Sequence, residues 1–298
     1  MTQPETADEE FPSAPLQFAL RKFECDSEEE LIYKTTHSYV FRSSSRRFEQ
    51  PIAIKLLLTE KIPPRFREKF VSRELLIARS VDHPHLLSAL EIDVFESVVI
   101  IATPFCGGGS LFNVVKTRKR LPDVEAARIF RQLIEALNYL HERNVAHRDV
   151  KLENILLTDD GDVKLIDYGF AIRQKHRRER ATSQCGTKGY MAPSIVKGTP
   201  YDPFAADYYA CGFVLHTLLI GGFPKQLTEQ SMRAFPSKEG FRLVKALLNP
   251  SDEDRPQYKE IVACEWMKKF APVWMCSNHP NALFEGIQDK EEQTVEVE

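Results

Sequence analysis

Apolar positions follow two different rhythms along this chain. Between Leu31 and Phe105 they fall in short runs. LIYKTT (31–36) and SYVFRSSS (38–45) alternate loosely, whereas PIAIKLLL (51–58) and VVIIATPF (98–105) are almost continuously apolar and rich in β-branched residues. Alternation predicts half-buried strands, and short apolar runs of that composition predict buried ones. One segment in this half breaks the pattern. RFREKFVSRELLIARSV (65–81) places Phe66, Phe70, Val71, Leu75 and Ala78 at helical spacing, and the His83-Pro84 pair ends it. After Cys106 the helical rhythm takes over. DVEAARIFRQLIEALNYLHERN (123–144) is the clearest amphipathic stretch, with Asp123 in the place of an N-cap, and further helices are predicted over 205–220, 237–249 and 256–270.

The change of rhythm coincides with CGGGS (106–110), whose glycines read as a flexible joint. The expected class is therefore α+β. A small antiparallel-sheet lobe with one long helix (16–105) precedes a larger helical lobe (106–271), with a cleft between them of the kind where ligands bind. Residues 1–15 are acidic and carry three prolines, so disorder is expected there, and 272–298 read as an acidic, solvated tail. No internal repeat is visible.

Bulk composition narrows the classes. A net charge of -3 over 298 residues gives no reason to expect a nucleic-acid or membrane-surface partner. No apolar run reaches the roughly 18 residues that span a bilayer, and the acidic opening argues against a signal peptide. Six scattered cysteines without a CxxC pair read as reduced thiols, which points to the cytoplasm, with the nucleus equally compatible. Glycine is scarce, at 13 residues, and that scarcity bears on the chemistry.

Phosphoryl transfer from ATP needs a cation on the phosphates, oxygen ligands for Mg2+ and a carboxylate at the attacking hydroxyl. The sequence supplies them in order. In AIK (53–55), small Ala53 leaves room for a flat base and Lys55 can reach phosphate oxygens; Glu74 on the next helix can pair with that lysine. Each feature alone is commonplace. HRDVKLEN (147–154) is far more specific: Asp149 can accept a hydroxyl proton, Lys151 can neutralise the transferring phosphate, and Asn154 offers a neutral oxygen to a metal. LIDYGFA (165–171) then places Asp167 after an apolar strand and before a glycine. That is a turn on composition alone and a metal ligand in company with HRDVKLEN.

Together these residues resemble the eukaryotic protein kinases over about 30–271. HPHLL, CGGGSLF and CGTKGYMAP are similar to the calmodulin-kinase-like group, and KLLLTEKIPPRFREKFVSRELLIA is similar to the testis-specific serine kinases. The resemblance implies a bilobal kinase fold and a serine/threonine kinase using ATP and Mg2+ on protein substrates. It makes Lys55 the ATP-anchoring lysine with Glu74 as its partner. Val40, Ala53, Cys106 and Leu156 would be nucleotide contacts, Asp149 the catalytic base, and Asn154 and Asp167 the metal ligands. It also makes Thr187 the threonine near the substrate and gives Asp207, Gly212 and Arg255 structural roles in the larger lobe. Arg148 would meet a phosphate on the segment from Asp167 to Ser194. There Ser183, with Thr182 as runner-up, is the expected target of an upstream activating kinase. The basic run Lys175, Arg177, Arg178 and Arg180 is expected to keep that segment loose until it is phosphorylated.

The sequence also departs from the family. Aligned on Val40, the glycine positions of the phosphate-covering loop fall on Tyr33, Thr35 and Ser38. Tyr168 replaces a phenylalanine, and Ser194 replaces the glutamate that ordinarily pairs with the arginine at Arg255, so Arg255 is left unpaired or finds another acid. Ser110 and Thr217 stand where basic-directed relatives carry acids, with Glu153 the acid that remains. The stretch from Pro224 to Arg255 is shorter than in relatives, which trims a docking helix. Glycine restored at Thr35 and Ser38 is expected to tighten ATP binding. Two readings stay open: a kinase of reduced efficiency, or a pseudokinase scaffold that binds nucleotide or a partner without useful turnover.

Overall fold

A computed structural model describes residues 12–26, 28–62, 75–224, 227–228 and 230–272. The chain divides into two units, Met1–Ser80 with Ser88–Phe105, and Val81–Leu87 with Cys106–Glu298. The expectations placed on residues 1–11, on Glu74 and the earlier turns of its helix, and on the tail from 273 lie outside the described residues.

The first unit is built on a five-stranded antiparallel sheet: β1 (Glu30–Lys34), β2 (Ser38–Ser45), β3 (Gln50–Leu58), β4 (Glu91–Phe95) and β5 (Val98–Pro104), in the order β1-β2-β3-β5-β4. Alternation along β3 sorts its side chains. Ile52, Ile54 and Leu56 are fully buried on one face, and Ala53 and Lys55, half-buried, lie on the other. The first face is covered by a helix the sequence pattern missed, α1 (Ser13–Lys22). Its Leu16, Ala19 and Leu20, with Phe23 just beyond, join Phe41, Ile52, Ile54 and Ile100 in one core. Disorder through residue 15 is thereby corrected at its end. Pro12 and Pro15 lie at the N-cap and in the first turn, where a proline costs no helical hydrogen bond. Lys22 fixes the other end of the helix through ion pairs to Asp93 and to Glu91 (3.0 Å). On the opposite face, Leu57, Val99 and Ile101 pack with Leu75 at the start of the described helix, residues 75–80 (α2).

The second unit is mainly helical: α3 (Leu111–Arg118), α4 (Asp123–Glu142), α5 (Pro193–Lys197), α6 (Pro203–Ile220), α7 (Lys238–Leu247), α8 (Tyr258–Ala263) and α9 (Glu265–Phe270). The helix expected over 256–270 is two, broken at Cys264, whose extended backbone serves both as the C-cap of α8 and the N-cap of α9. Asp123 is not an N-cap: Pro122 holds that position, and the Asp123 carboxylate accepts from Ser237 Oγ (2.7 Å) and Trp266 Nε1 (2.6 Å), tying α4 to α7 and α9. α6 runs through the core. By length and composition it qualifies to cross a membrane, at mean hydropathy 1.2 over 18 residues, so the expectation that no stretch would do so is corrected; 83% of it is buried inside the protein. Two small sheets complete this unit, β6 (Gly109–Ser110) with β8 (Ile155–Leu157) and β9 (Val163–Leu165), and β7 (Val145–Ala146) with β10 (Ile172–Arg173). The glycines read as a joint answer to space. A Cβ at Gly107 would sit 1.9 Å from Asp159 Oδ1, and one at Gly108 2.6 Å from the Thr158 carbonyl.

Candidate active site

In the second unit β7 leads into a loop, and a short 3-10 turn at Leu152–Asn154 leads out of it into β8. That loop carries Asp149, which is 3% exposed. Four side-chain and backbone groups hold its carboxylate. Oδ1 accepts from the Thr187 hydroxyl (2.7 Å) and the Thr187 amide (2.9 Å), and Oδ2 accepts from Lys151 Nζ (2.7 Å) and Asn154 Nδ2 (3.1 Å). Lys151 also donates to Thr187 Oγ1 (2.9 Å). Asn154 thus spends its amide nitrogen on Asp149, its second bond there going to the Asp149 carbonyl at 2.9 Å, which leaves its side-chain oxygen as an acceptor.

The loop is held from beneath by Asp207 of α6, 1% exposed, which accepts from the backbone amides of His147 (2.9 Å) and Arg148 (2.7 Å) and pairs with His141 Nε2 (2.8 Å). These bonds explain how Arg148 can hold φ +64, an unfavourable conformation for a non-glycine residue. Asp167 has φ +68 and accepts from the Gly169 amide at 3.3 Å. Ile166, just before it, is locked from two sides: its amide donates to the Asn154 carbonyl (3.0 Å), and its carbonyl meets His147 Nε2 (3.0 Å). Asn154 and Asp167 are therefore set on the two arms of one β8–β9 ribbon. Tyr168 packs its ring edge-on to His147, and burial pushes its hydroxyl pKa up; the hydroxyl donates to the Leu87 and Leu165 carbonyls, both at 3.3 Å.

Arg148 reaches the other way. Its guanidinium donates to Ser183 Oγ (2.6 Å), the Phe170 carbonyl (2.8 Å) and the Tyr201 hydroxyl (3.3 Å), and Tyr201 donates back to the Ser183 carbonyl (2.9 Å). Ser183 and Thr182 are exposed. Two members of the basic run have acidic partners, Arg177 with Asp202 (3.2 Å) and Arg180 with Glu253 (3.3 Å), and Ala181 bridges to Tyr201 by paired backbone bonds. Arg255, 1% exposed, has found its acid in Asp252 at 3.1 Å, and Ser194 donates to the same carboxylate at 3.2 Å. Ser110 and Thr217 are spent on backbone, the first capping α3 and the second bonding the Phe213 carbonyl (2.8 Å). Between α6 and α7 the described residues hold one 3-10 turn, Ser231–Ala234.

In the first unit Val40 stands directly opposite Lys55 in the β2–β3 register, so both share the half-buried face with Ala53. In the second unit Leu156 lies on β8, and Cys106 begins the glycine run with its thiol pKa pushed up to about 11 by burial. Sequence reasoning missed His141, Tyr201 and Asp252. His141 and Tyr201 act through partners distant in sequence, and Asp252 stands three residues before Arg255 in a run of three acids among which the sequence alone does not choose.

Comparison with known proteins matches this framework. The protein kinase domain family matches residues 28–267. The chain is 33% identical over 247 residues to testis-specific serine/threonine-protein kinase 3 of Mus musculus, covering 78% of this chain and 92% of that protein. It is 32% identical over 235 residues to CBL-interacting protein kinase 31 of Oryza sativa subsp. japonica and 33% identical over 234 residues to CBL-interacting serine/threonine-protein kinase 9 of Arabidopsis thaliana. These matches cover 74% and 73% of this chain, and the chain spans about half the length of each of those two plant relatives, 52% in both cases.

Proposed function

The chain belongs to the protein kinase family, and on that premise we propose that it is a serine/threonine kinase transferring the γ-phosphate of ATP to hydroxyls of protein substrates. The carrying observation is the Asp149 cluster, in which one buried carboxylate is oriented by Lys151, Asn154 and Thr187. In this reading Asp149 takes the proton of the substrate hydroxyl, and Lys151 keeps positive charge beside the transferring group. The Thr187 bond to Asp149 stands in the meantime where a substrate hydroxyl would.

Asn154 and Asp167 fit Mg2+ by their chemistry, an amide oxygen with its nitrogen already committed and a carboxylate, both hard oxygen donors. When bound, the ion neutralises phosphate charge during transfer. Lys55, with Val40 and Ala53 on the same sheet face, is the proposed nucleotide-binding group of the first unit; Cys106 and Leu156 are proposed for the second. Five described cysteines are unpaired, which supports a cytoplasmic or nuclear setting.

The glycine-free loop at Tyr33, Thr35 and Ser38 favours a second reading, a pseudokinase that binds nucleotide without useful turnover. The same feature assigns reduced efficiency under the first reading. Phosphate transfer to a generic basic protein, measured for the wild type and Asp149→Asn, separates them. The kinase reading expects transfer in the wild type and at least a ~100-fold loss in the mutant, the usual scale for a general base, with ATP affinity retained. No transfer by the wild type, or equal transfer by the mutant, refutes it.

A further inference from the structure

The β1–β2 turn that takes the place of the family's glycine-rich loop is closed by side chains. Thr35 Oγ1 and Ser38 Oγ lie 2.7 Å apart, and the Thr35 amide donates to the Ser38 carbonyl at 2.8 Å. The His37 amide approaches Thr35 Oγ1 at 3.4 Å, and the His37 carbonyl accepts from the Leu58 amide at 2.9 Å, which hooks the turn to β3. No residue from Tyr33 to Ser38 has a positive φ, so the turn's backbone does not call for glycine.

Donor accounting shows what remains for a ligand. The Thr35 amide is already consumed, so this position cannot offer the backbone donor that a glycine-rich loop offers. Two hydroxyls carry two protons, and the contact between them uses one. Ser38 is 6% exposed, while Thr35 is half-buried. With Ser38 donating inward, Thr35 Oγ1 accepts from Ser38 and from His37 and keeps its own proton for a partner outside the turn. Register places the clasp close to the phosphate-reaching lysine: Ser38 faces Leu57 on β3, and Val40 faces Lys55.

We propose that the Thr35 hydroxyl is a phosphate donor of this loop, held in place by Ser38, and that the pair takes over the role of the missing glycines. The inference rests on the kinase reading, because it takes the nucleotide triphosphate as the ligand. It reverses the expected effect of restoring glycine: without the clasp the turn loses both its donor and its tie.

The test is calorimetric titration of the full chain with Mg-ATP and, separately, with adenosine, which lacks the phosphates. Thr35→Val and Ser38→Ala are each expected to weaken Mg-ATP binding by about tenfold or more, the scale of one lost hydrogen bond to a charged acceptor, with adenosine affinity unchanged. Thr35→Ser, which keeps the donor, is expected to bind as the wild type does, and the double change Thr35→Gly with Ser38→Gly to bind Mg-ATP more weakly. Unchanged Mg-ATP affinity in Thr35→Val, or tighter binding in the double glycine variant, overturns the proposal while leaving nucleotide binding intact. An equal loss for adenosine overturns it too, because the effect would then not be directed at phosphate. Failure of the wild type to bind either ligand removes the nucleotide reading itself, and this inference with it.

Discussion

Ser194 shows how a single departure from the family pattern is absorbed. The glutamate expected there would pair with the buried Arg255; a serine hydroxyl cannot supply that charge. Asp252 supplies it from three residues upstream of Arg255, and it also accepts from Ser194 Oγ and from the Asp202 amide at 3.1 Å. The guanidinium is completed by the Ala205 and Asn249 carbonyls (2.8 and 2.7 Å) and the Tyr209 ring, while its buried Nε has no hydrogen-bond partner among the described residues. Burial holds the pKa of Arg255 below its usual value, and Asp252, which opposes that shift more than Tyr209 or Asp202 does, is its main compensating charge. Asp252→Ala is therefore expected to destabilise the protein by about 3–5 kcal/mol, the cost of leaving a buried charge uncompensated. Ser194→Ala is expected to cost less, about 1.5 kcal/mol, the low end for one hydrogen bond to a charged group, because the carboxylate keeps its other donors. Chemical denaturation of the two variants checks the contrast; equal effects would show that Asp252 is not the compensating charge.

At the scale of elements, α1 is the addition that matters most to the first unit. A five-stranded sheet needs both faces covered if both carry apolar residues, and α1 closes the face bearing Ile52, Ile54 and Leu56. Leu16 is 1% exposed within that core. Leu16→Ala is expected to cost about 2–5 kcal/mol, the range for removing a fully buried leucine side chain, read as a lower denaturation midpoint. A midpoint within experimental error of the wild type would mean that α1 is not docked in solution. The helix was hard to read from sequence because its apolar face is only a few residues long and two prolines stand at its start. Its helical identity comes from the sheet it covers rather than from propensity.

At the scale of the whole molecule, Arg148 links two segments of the second unit. One residue joins the loop of Asp149, through its backbone bond to Asp207, to the segment of Ser183, through its guanidinium. A phosphate on Ser183 would bring about -1.5 to -2 charges to a hydroxyl that already touches Arg148. The hydroxyl now accepts from one charged guanidinium; a phosphate would add an opposite charge and further acceptor oxygens, and charge-assisted bonds are worth about 1.5–3 kcal/mol each. Phosphorylation of Ser183 by an upstream kinase is accordingly expected to raise activity several-fold, at the lower end of what such an energy gain allows, and Ser183→Ala to lower it. Quantitative mass spectrometry of the active protein, paired with activity of the Ser183→Ala and Thr182→Ala double variant, checks this. Full activity in the double variant with neither site modified would exclude this control.

The candidate site was legible in the sequence because its residues reside in contiguous strings. HRDVKLEN and LIDYGFA set Asp149, Lys151, Asn154 and Asp167 within two short loops, and the structure places those residues on one ribbon and its approach. Strand and helix positions followed from periodicity wherever an element had one face to bury, as in β3 and α4. Partner choice was decided only by the tertiary structure. Asp252 for Ser194, Asp123 for Trp266 and Tyr201 for Arg148 are pairings of groups that carry no local pattern. Many carboxylates and hydroxyls in the chain could serve equally until the backbone brings one of them within about 3 Å, the reach of a hydrogen bond. The same reason hid the Thr35–Ser38 clasp. The sequence showed that glycine was missing; only the folded turn showed which donors remained in its place.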